Sequence, residues 1–403
     1  MQVGMSVSTS VLRRLNIEAL LRHAFASGTF TAAEAMEATS LTRATVLGLC
    51  DELTAAGWIE EAEDSRAAGL SRRGRPARRH RLRSGAGLVI GIDAGRSGYR
   101  AMAADLRGTV LATGRRELDP DTVDRELRIS TVQDLVREVR EASASAAPLL
   151  VTVIGIPAPV DTRGRSPIDV GTFWRLMNSG FPEHLAGRVV VENDANLSAL
   201  AEHGQHLEAN MAALLVGERI GAGLIVDGRL LHGALGGAGE MRFLETVLQD
   251  DIGAEGVGSL ARRWTLESLA AGRESPLLAA LPAESLTAVD VFAAAQAGDA
   301  LARDVLDRIG ERIARIAAIL VSLLGIERIV LAGAVASSLE PVLVRAREVL
   351  PDIADAPYPE LVASGLGRDA VVRGALEHAL TRLREDPLEL LELLAPAELP
   401  DSP

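Results

Sequence analysis

The chain has one cysteine in 403 residues, Cys50. A lone thiol excludes an internal disulfide framework and any zinc site built on several cysteines, and the neighbours Leu49 and Leu53 make it a small packed hydrophobe. Hydrophobic residues reach 48%, yet charge or glycine breaks each apolar run well before the roughly 20 residues of a membrane-spanning helix. The N-terminus meets Arg13, Arg14 and Glu18 without an apolar stretch that ends at a small-residue cleavage site. No secretory signal is read, so the expected compartment is the cytoplasm, with no membrane partner. Low-complexity tracts and short-period repeats are missing as well. So is net positive charge, which stands at −13 and would argue against nucleic acid if it were evenly spread. It is not: Arg66, Arg72, Arg73, Arg75, Arg78, Arg79, Arg81 and Arg83 lie in one stretch that holds no Asp or Glu. A basic segment on an acidic protein suits a polyanion-binding module joined to a body that the same polyanion repels. A solvated linker is the alternative reading.

The length exceeds one typical core of roughly 100 to 200 residues, so several domains are expected. Residues 11–56 read as three amphipathic helices. The first runs from Val11 to Ala26, with Leu12, Leu15, Leu20 and Leu21 near helical spacing, and stops at Gly28. Thr31 can cap a second over Ala32 to Ala38, and Thr42 a third over Arg43 to Ala56. Short helix, turn and longer helix make a helix-turn-helix. Trp58 and Ile59 then open a strand, Gly69 to Gly74 can turn, and Arg78 to Leu82 can return, which together form a wing. From Gly87 the texture changes to apolar strands such as Leu88 to Ile92, Leu149 to Ile156, Val189 to Val191, Ala212 to Val216 and Ile329 to Ala332. Helical stretches including Ala195 to His203 and Ala300 to Leu324 alternate with them, which points to α/β layers.

Four motifs occur in order along this body. Gly91 to Gly98 places Asp93 at a strand end before a glycine turn, which suits approach to phosphate. Glu192-Asn193-Asp194 sits at a strand-to-helix junction, where a carboxylate can act on a sugar hydroxyl. A glycine-rich run extends from Gly217 to Glu240. Ile329 to Ala334 follows a long helix. Singly, each reads equally well as an ordinary turn or helix cap. In this order and spacing the set resembles the ROK family of repressors, open reading frames and sugar kinases, and the winged helix with its Gly74-Arg75-Pro76 resembles that of the family's repressors.

The resemblance implies a winged helix-turn-helix at 1–84 on a two-lobed, actin- and hexokinase-like (ribonuclease H-like) α/β body. The small lobe is expected at 85–198, completed by a helix at about 368–385, the large lobe at 199–367, and an acidic tail at 386–403. It also implies that Asn193, Asp194 and Glu240 contact a sugar, with Asp194 the catalytic base in the family's kinases. Departures argue against kinase activity here. Family members carry a histidine three residues beyond the glutamate and then a cysteine-rich zinc loop; here Phe243 stands there and no cysteine is near, so no structural metal is expected. The family's second phosphate loop has a small hydroxyl residue between glycines; here Glu218 and Arg219 stand there, and a carboxylate in that place repels ATP phosphates.

The expected function is a DNA-binding transcription regulator, a repressor, that is not an enzyme and has no cofactor or catalytic residue. It would act on a double-stranded operator as a homodimer or dimer of dimers and sense a sugar or sugar derivative. Thr42, Arg43, Ala44 and Thr45 would face the major groove, with Arg43 suited to guanine, while Arg72, Arg73 and Arg75 add salt-sensitive contacts. An active kinase with an appended DNA module, or a ligand-independent regulator with a vestigial pocket, are the alternatives.

Overall fold

The computed structural model describes residues 9–62, 78–167, 172–206, 208–242 and 244–387. The wing arginines Arg72, Arg73 and Arg75, Phe243, and all but the first two residues of the acidic tail lie outside the described residues.

The N-terminal module contains α1 (Thr9–Ala26), β1 (Phe30–Thr31), α2 (Ala32–Thr39), α3 (Arg43–Ala55), β2 (Ile59–Ala62) and β3 (Arg79–Leu82). Local chemistry sets its breaks. Thr31 Oγ1 accepts from the Glu34 amide at 3.3 Å while the Glu34 carboxylate accepts from the Thr31 amide at 2.6 Å, a reciprocal cap that starts α2. Ser40 turns left-handed at φ 57° and ends it. Thr42 Oγ1 then accepts from the Thr45 amide at 3.3 Å and starts α3. Two details differ from the sequence reading. Leu20 and Leu21 are buried, but Leu12 and Leu15 are about half exposed, because the buried part of α1 begins at Ile17 and its first turns run past the core. The wing strand β3 also pairs on its other side with β1, Phe30 opposite His80; two residues are too few to carry a periodic signal.

The body continues with β4 (Leu88–Ala94), β5 (Gly98–Asp105), β6 (Val110–Glu117), α4 (Arg125–Ala142), β7 (Leu149–Ile156), α5 (Thr172–Met177), β8 (Arg188–Asn193) and α6 (Asp194–His206). Its second half holds β9 (Met211–Val216), β10 (Ile220–Val226), β11 (Arg229–Leu230), α7 (Leu244–Leu248), α8 (Val257–Ala270), α9 (Ala288–Gln296), α10 (Ala300–Leu324), β12 (Arg328–Ala332), α11 (Glu340–Ile353), β13 (Glu360–Ala363) and α12 (Ala370–Glu385). One sheet has the order β6-β5-β4-β7-β8, the other β11-β10-β9-β12-β13. In each, hairpin-linked antiparallel strands join parallel ones. Helix α12 returns to lie on β4 and α6. A Cβ on Gly374 would stand 1.8 Å from the Leu197 carbonyl oxygen, so α12 and α6 meet backbone to backbone.

The N-terminal module is not tethered loosely. A single apolar cluster runs from Leu20, Leu21 and Phe25 of α1 through Leu106 to Leu376, Leu380 and Leu383 of α12. Arg107, in the β5–β6 turn, donates to the Ser27 carbonyl at 2.8 Å and to those of Ala24, Phe25 and Gly28 at 3.4 Å, closing the C-terminus of α1. A cation there meets carbonyls left without helical partners. Arg22 of α1 donates in turn to the Glu385 carbonyl at 2.6 Å, at the end of α12. Arg107→Ala should raise amide exchange in the last turn of α1 by roughly tenfold, the equivalent of about 1.4 kcal/mol, and leave α10 unchanged. Hydrogen-exchange mass spectrometry reads this, and unchanged protection of α1 would rule out the clamp.

Candidate ligand cleft and DNA-facing helix

The ends of β4, β7 and β8 are level: Asp93 is opposite Gly155, and Gly155 opposite Glu192. Asn193 and Asp194 follow at once, where β8 gives way to α6. The junction is held from within. Glu192, buried, accepts from the Asn193 amide at 2.7 Å and from Asn196 Nδ2 at 2.9 Å on one oxygen, and meets His232 Nε2 at 2.9 Å on the other. That bond raises the pKa of His232 above the ordinary imidazole value. Asn193 donates through Nδ2 to the Ala158 carbonyl at 3.0 Å and accepts from the Asn196 amide at 3.1 Å, so both ends of its amide support the backbone. Asp194 accepts from the Ala195 amide at 2.8 Å through Oδ1.

Glu240 arrives on a tightly constrained loop. A Cβ on Gly236 would stand 2.1 Å from the Val160 carbonyl oxygen, and one on Gly239 1.7 Å from that of Ala222. These close approaches set the loop against strand β10 and the segment after β7, and between them Leu235 stands at φ 56°, a strained value for a side chain of that kind. Beyond Glu240, the Arg242 guanidinium lies 5.8 Å from the Trp174 ring centre on α5, a cation–π contact.

Three carboxyls thus bear on one place, and their titration reflects it. Burial, then the negative charges of Asp93 and Glu240, push Asp194 up to about 8. Burial pushes Asp93 up to about 7 against the pull of Arg100 and Arg128. Burial also raises Glu240, opposed by Arg219 and Arg242. Beside them Arg128, fully buried, donates to the carbonyls of Gly95 at 2.7 Å, Ala94 at 2.8 Å and Met177 at 3.2 Å and to the Tyr99 hydroxyl at 2.7 Å. It ties the turn after Asp93 to the end of α5, while Gly95 donates its amide to the Gly98 carbonyl at 3.1 Å and closes that turn on itself. The sequence reading placed Asp194, Asn193 and Glu240 in a cleft; it did not see Arg128, His232 or the structural role of Glu192. His232 lies within the glycine-rich run, just before Gly233, which was the available hint; Arg128 lies in a helix with no motif.

On the N-terminal module, α3 buries Val46, Leu49, Cys50 and Leu53 and leaves Arg43 and Ala44 exposed. Thr45 is half-buried, and its hydroxyl lies 2.9 Å from that of Thr42. The two threonine hydroxyls serve the start of the helix first.

A carboxyl with a raised folded pKa keeps its proton where the unfolded chain, near 3.8, has lost it. The folded state then binds more protons, so stability falls as pH rises from about 4 to about 8. Unliganded protein should melt several degrees lower at about pH 8.5 than at about pH 5, and Asp194→Asn should flatten part of that difference and raise the midpoint at the higher pH, with Asp93 and Glu240 keeping the rest. Scanning calorimetry checks it; an unchanged slope in the variant would refute the coupling.

A model of the ROK family matches residues 89–382. A glucokinase from Halalkalibacterium halodurans is 30% identical over 253 residues, 55% of this chain and 74% of that protein. A xylose repressor from Caldicellulosiruptor bescii is 28% identical over 219 residues, 53% of this chain and 54% of that protein, so the match spans about half the repressor's length. The DNA-binding transcriptional dual regulator NagC of Escherichia coli is 24% identical over 347 residues, 82% of each. Among solved structures, a ROK family transcriptional regulator described as a homolog of the E. coli MLC protein superposes with a TM-score of 0.75 at 21% identity, covering 96% of this chain and 100% of that one. Kinases and regulators therefore lie at similar distances, and the fold with an N-terminal module is that of the regulators.

Proposed function

Since the chain belongs to the ROK family, we propose that it is a transcription repressor that binds an operator as a dimer and senses a sugar or sugar derivative in its kinase-like body without phosphorylating it. The observation that carries this reading is the join: one apolar core links the helix-turn-helix to the lobe that holds Asp93, Asn193 and Asp194. An effector between the lobes would alter their closure, and the attached α3 would move with its lobe. The effector must prefer one closure state, since equal affinity for both shifts nothing. Asp194 and Glu240 supply hydroxyl partners for such a ligand, and Asn193 reaches it with whatever its second amide hydrogen and lone pair leave available. Arg43 is assigned to guanine, Ala44 and Thr45 to the adjoining groove surface, Thr42 to the backbone, and Arg72, Arg73 and Arg75 to non-specific contacts. No described helix is long and apolar enough to cross a membrane, and the proposed compartment is the cytoplasm.

The case against phosphoryl transfer rests on the second loop. Gly258 donates its amide to the Gly217 carbonyl at 3.1 Å and Gly256 to that of Glu218 at 2.9 Å, so the start of α8 faces the loop's own oxygens. A nucleotide phosphate would meet those oxygens and the Glu218 carboxylate in place of free amides. Active kinase is the second reading, favoured by the glucokinase relative and by Asp194 standing where the family's base stands.

Fluorescence anisotropy with labelled DNA from the gene's own upstream region, beside unrelated DNA of equal length at two salt concentrations, tests the proposal. Selective binding, weakened by one compound of a sugar panel, is expected, with no ADP formed from ATP across that panel. Arg43→Ala should reduce specific affinity by about tenfold to a hundredfold while non-specific binding persists. Equal affinity for both DNAs would overturn the regulator, and sugar-dependent ADP release would establish the kinase.

A further inference from the structure

Two features of α3 have no cause among the described residues. Leu47 is 41% exposed on a short helix whose other leucines, Leu49 and Leu53, are buried. Gly48 stands in the middle of the helix with nothing within 4 Å of where a Cβ would lie, and its φ is not positive. Glycine in a helix interior is roughly 0.5 to 1 kcal/mol worse than alanine, and no packing or backbone need among the described residues offsets that here. Positions 43, 44, 47 and 48 share one face, opposite Val46, Leu49, Cys50 and Leu53. That face is therefore Arg43, Ala44, Leu47 and Gly48, all exposed, and the next turn presents the exposed Asp51, which would repel phosphates. The surface left for contact is the first two turns: one guanidinium, then an apolar, low-relief patch.

We propose that Leu47 reads thymine methyl groups in the major groove and that Gly48 gives α3 the clearance to sit close enough for this. The inference rests on the DNA-binding reading above and adds the residue that sets base preference beside Arg43. In the major groove only thymine displays a methyl group, so an apolar side chain discriminates there where a hydroxyl or charge would not. Leu47 follows Arg43 by four residues, about 6 Å along the helix, or one to two base steps of about 3.4 Å. A guanine read by Arg43 and a thymine read by Leu47 should therefore be near neighbours in the half-site.

The full-length protein is used to enrich duplexes from a random library, and each thymine of the recovered site is then replaced singly by deoxyuridine, which removes only the methyl. One thymine within two base pairs of the Arg43-dependent guanine should lose about fourfold in affinity on replacement, the worth of one buried methyl group. Leu47→Ala should bind the two duplexes equally, while Arg43→Ala keeps the thymine preference. Gly48→Ala should weaken binding to every duplex while raising the melting temperature, since it improves the helix and fills the clearance. Enrichment with a flat deoxyuridine profile, or a thymine preference that survives Leu47→Ala, overturns the assignment to Leu47 alone. No enrichment by the wild-type protein would overturn the DNA-binding reading itself.

Discussion

Helix α12 is the element on which the remaining arrangement depends. It contributes Leu376, Leu380 and Leu383 to the core shared with α1, and its glycine at 374 admits α6 to backbone contact. Its N-terminus begins just after Asp369, which lies near Arg100 at 3.5 Å and bears electrostatically on Asp93. Helix α12 thereby touches α1 at one end and the carboxyl cleft at the other. The contact joins residues more than 340 positions apart, so it is among the most non-local in the fold.

The cleft shows the opposite balance. Asp194 is buried near the charges of Asp93 and Glu240, and Arg128 is buried with carbonyl and hydroxyl oxygens as its hydrogen-bond partners among the described residues. Arrangements of this kind lower stability and persist where the surroundings over-determine them, as the Glu192–His232 bond, the Arg128 carbonyl contacts and the close approach of Gly236 do here. Protons on the carboxyls relieve the cost of burying them. A ligand with several hydroxyl donors would relieve it differently, by supplying hydrogen bonds that favour the ionised forms.

Much of the N-terminal module was readable because its signals are local. Thr31 and Thr42 cap through residues three positions on, and Gly57 ends α3 with no tertiary partner required. The strand-to-helix junction at Asp194 was readable for the same reason. What escaped depends on distance along the chain. Arg107 closes a helix some eighty residues earlier, Arg128 gathers carbonyls from two separate segments, and His232 meets a glutamate forty residues before it. None of these has a spacing that a periodicity or a motif can express. Asn193 illustrates the intermediate case: its position at the junction was legible, but that its amide would already be engaged by Ala158 and Asn196 was not.

A firm join between module and lobe also alters how small a movement can matter. Helix α12 has 16 residues, about 24 Å at 1.5 Å per residue, and separates the cleft from the seat of α1. A rotation of roughly ten degrees about its cleft end would carry the far end by about 4 Å, more than one base step of about 3.4 Å. Two recognition helices in a dimer must lie about one helical turn of DNA apart, so a displacement of that size in each protomer is enough to spoil the register at one half-site. A flexible linker would absorb the same rotation and transmit nothing. The clamp formed by Arg107, the Arg22 contact with Glu385 and the shared apolar core is therefore what would let a modest closure of the lobes reach the DNA.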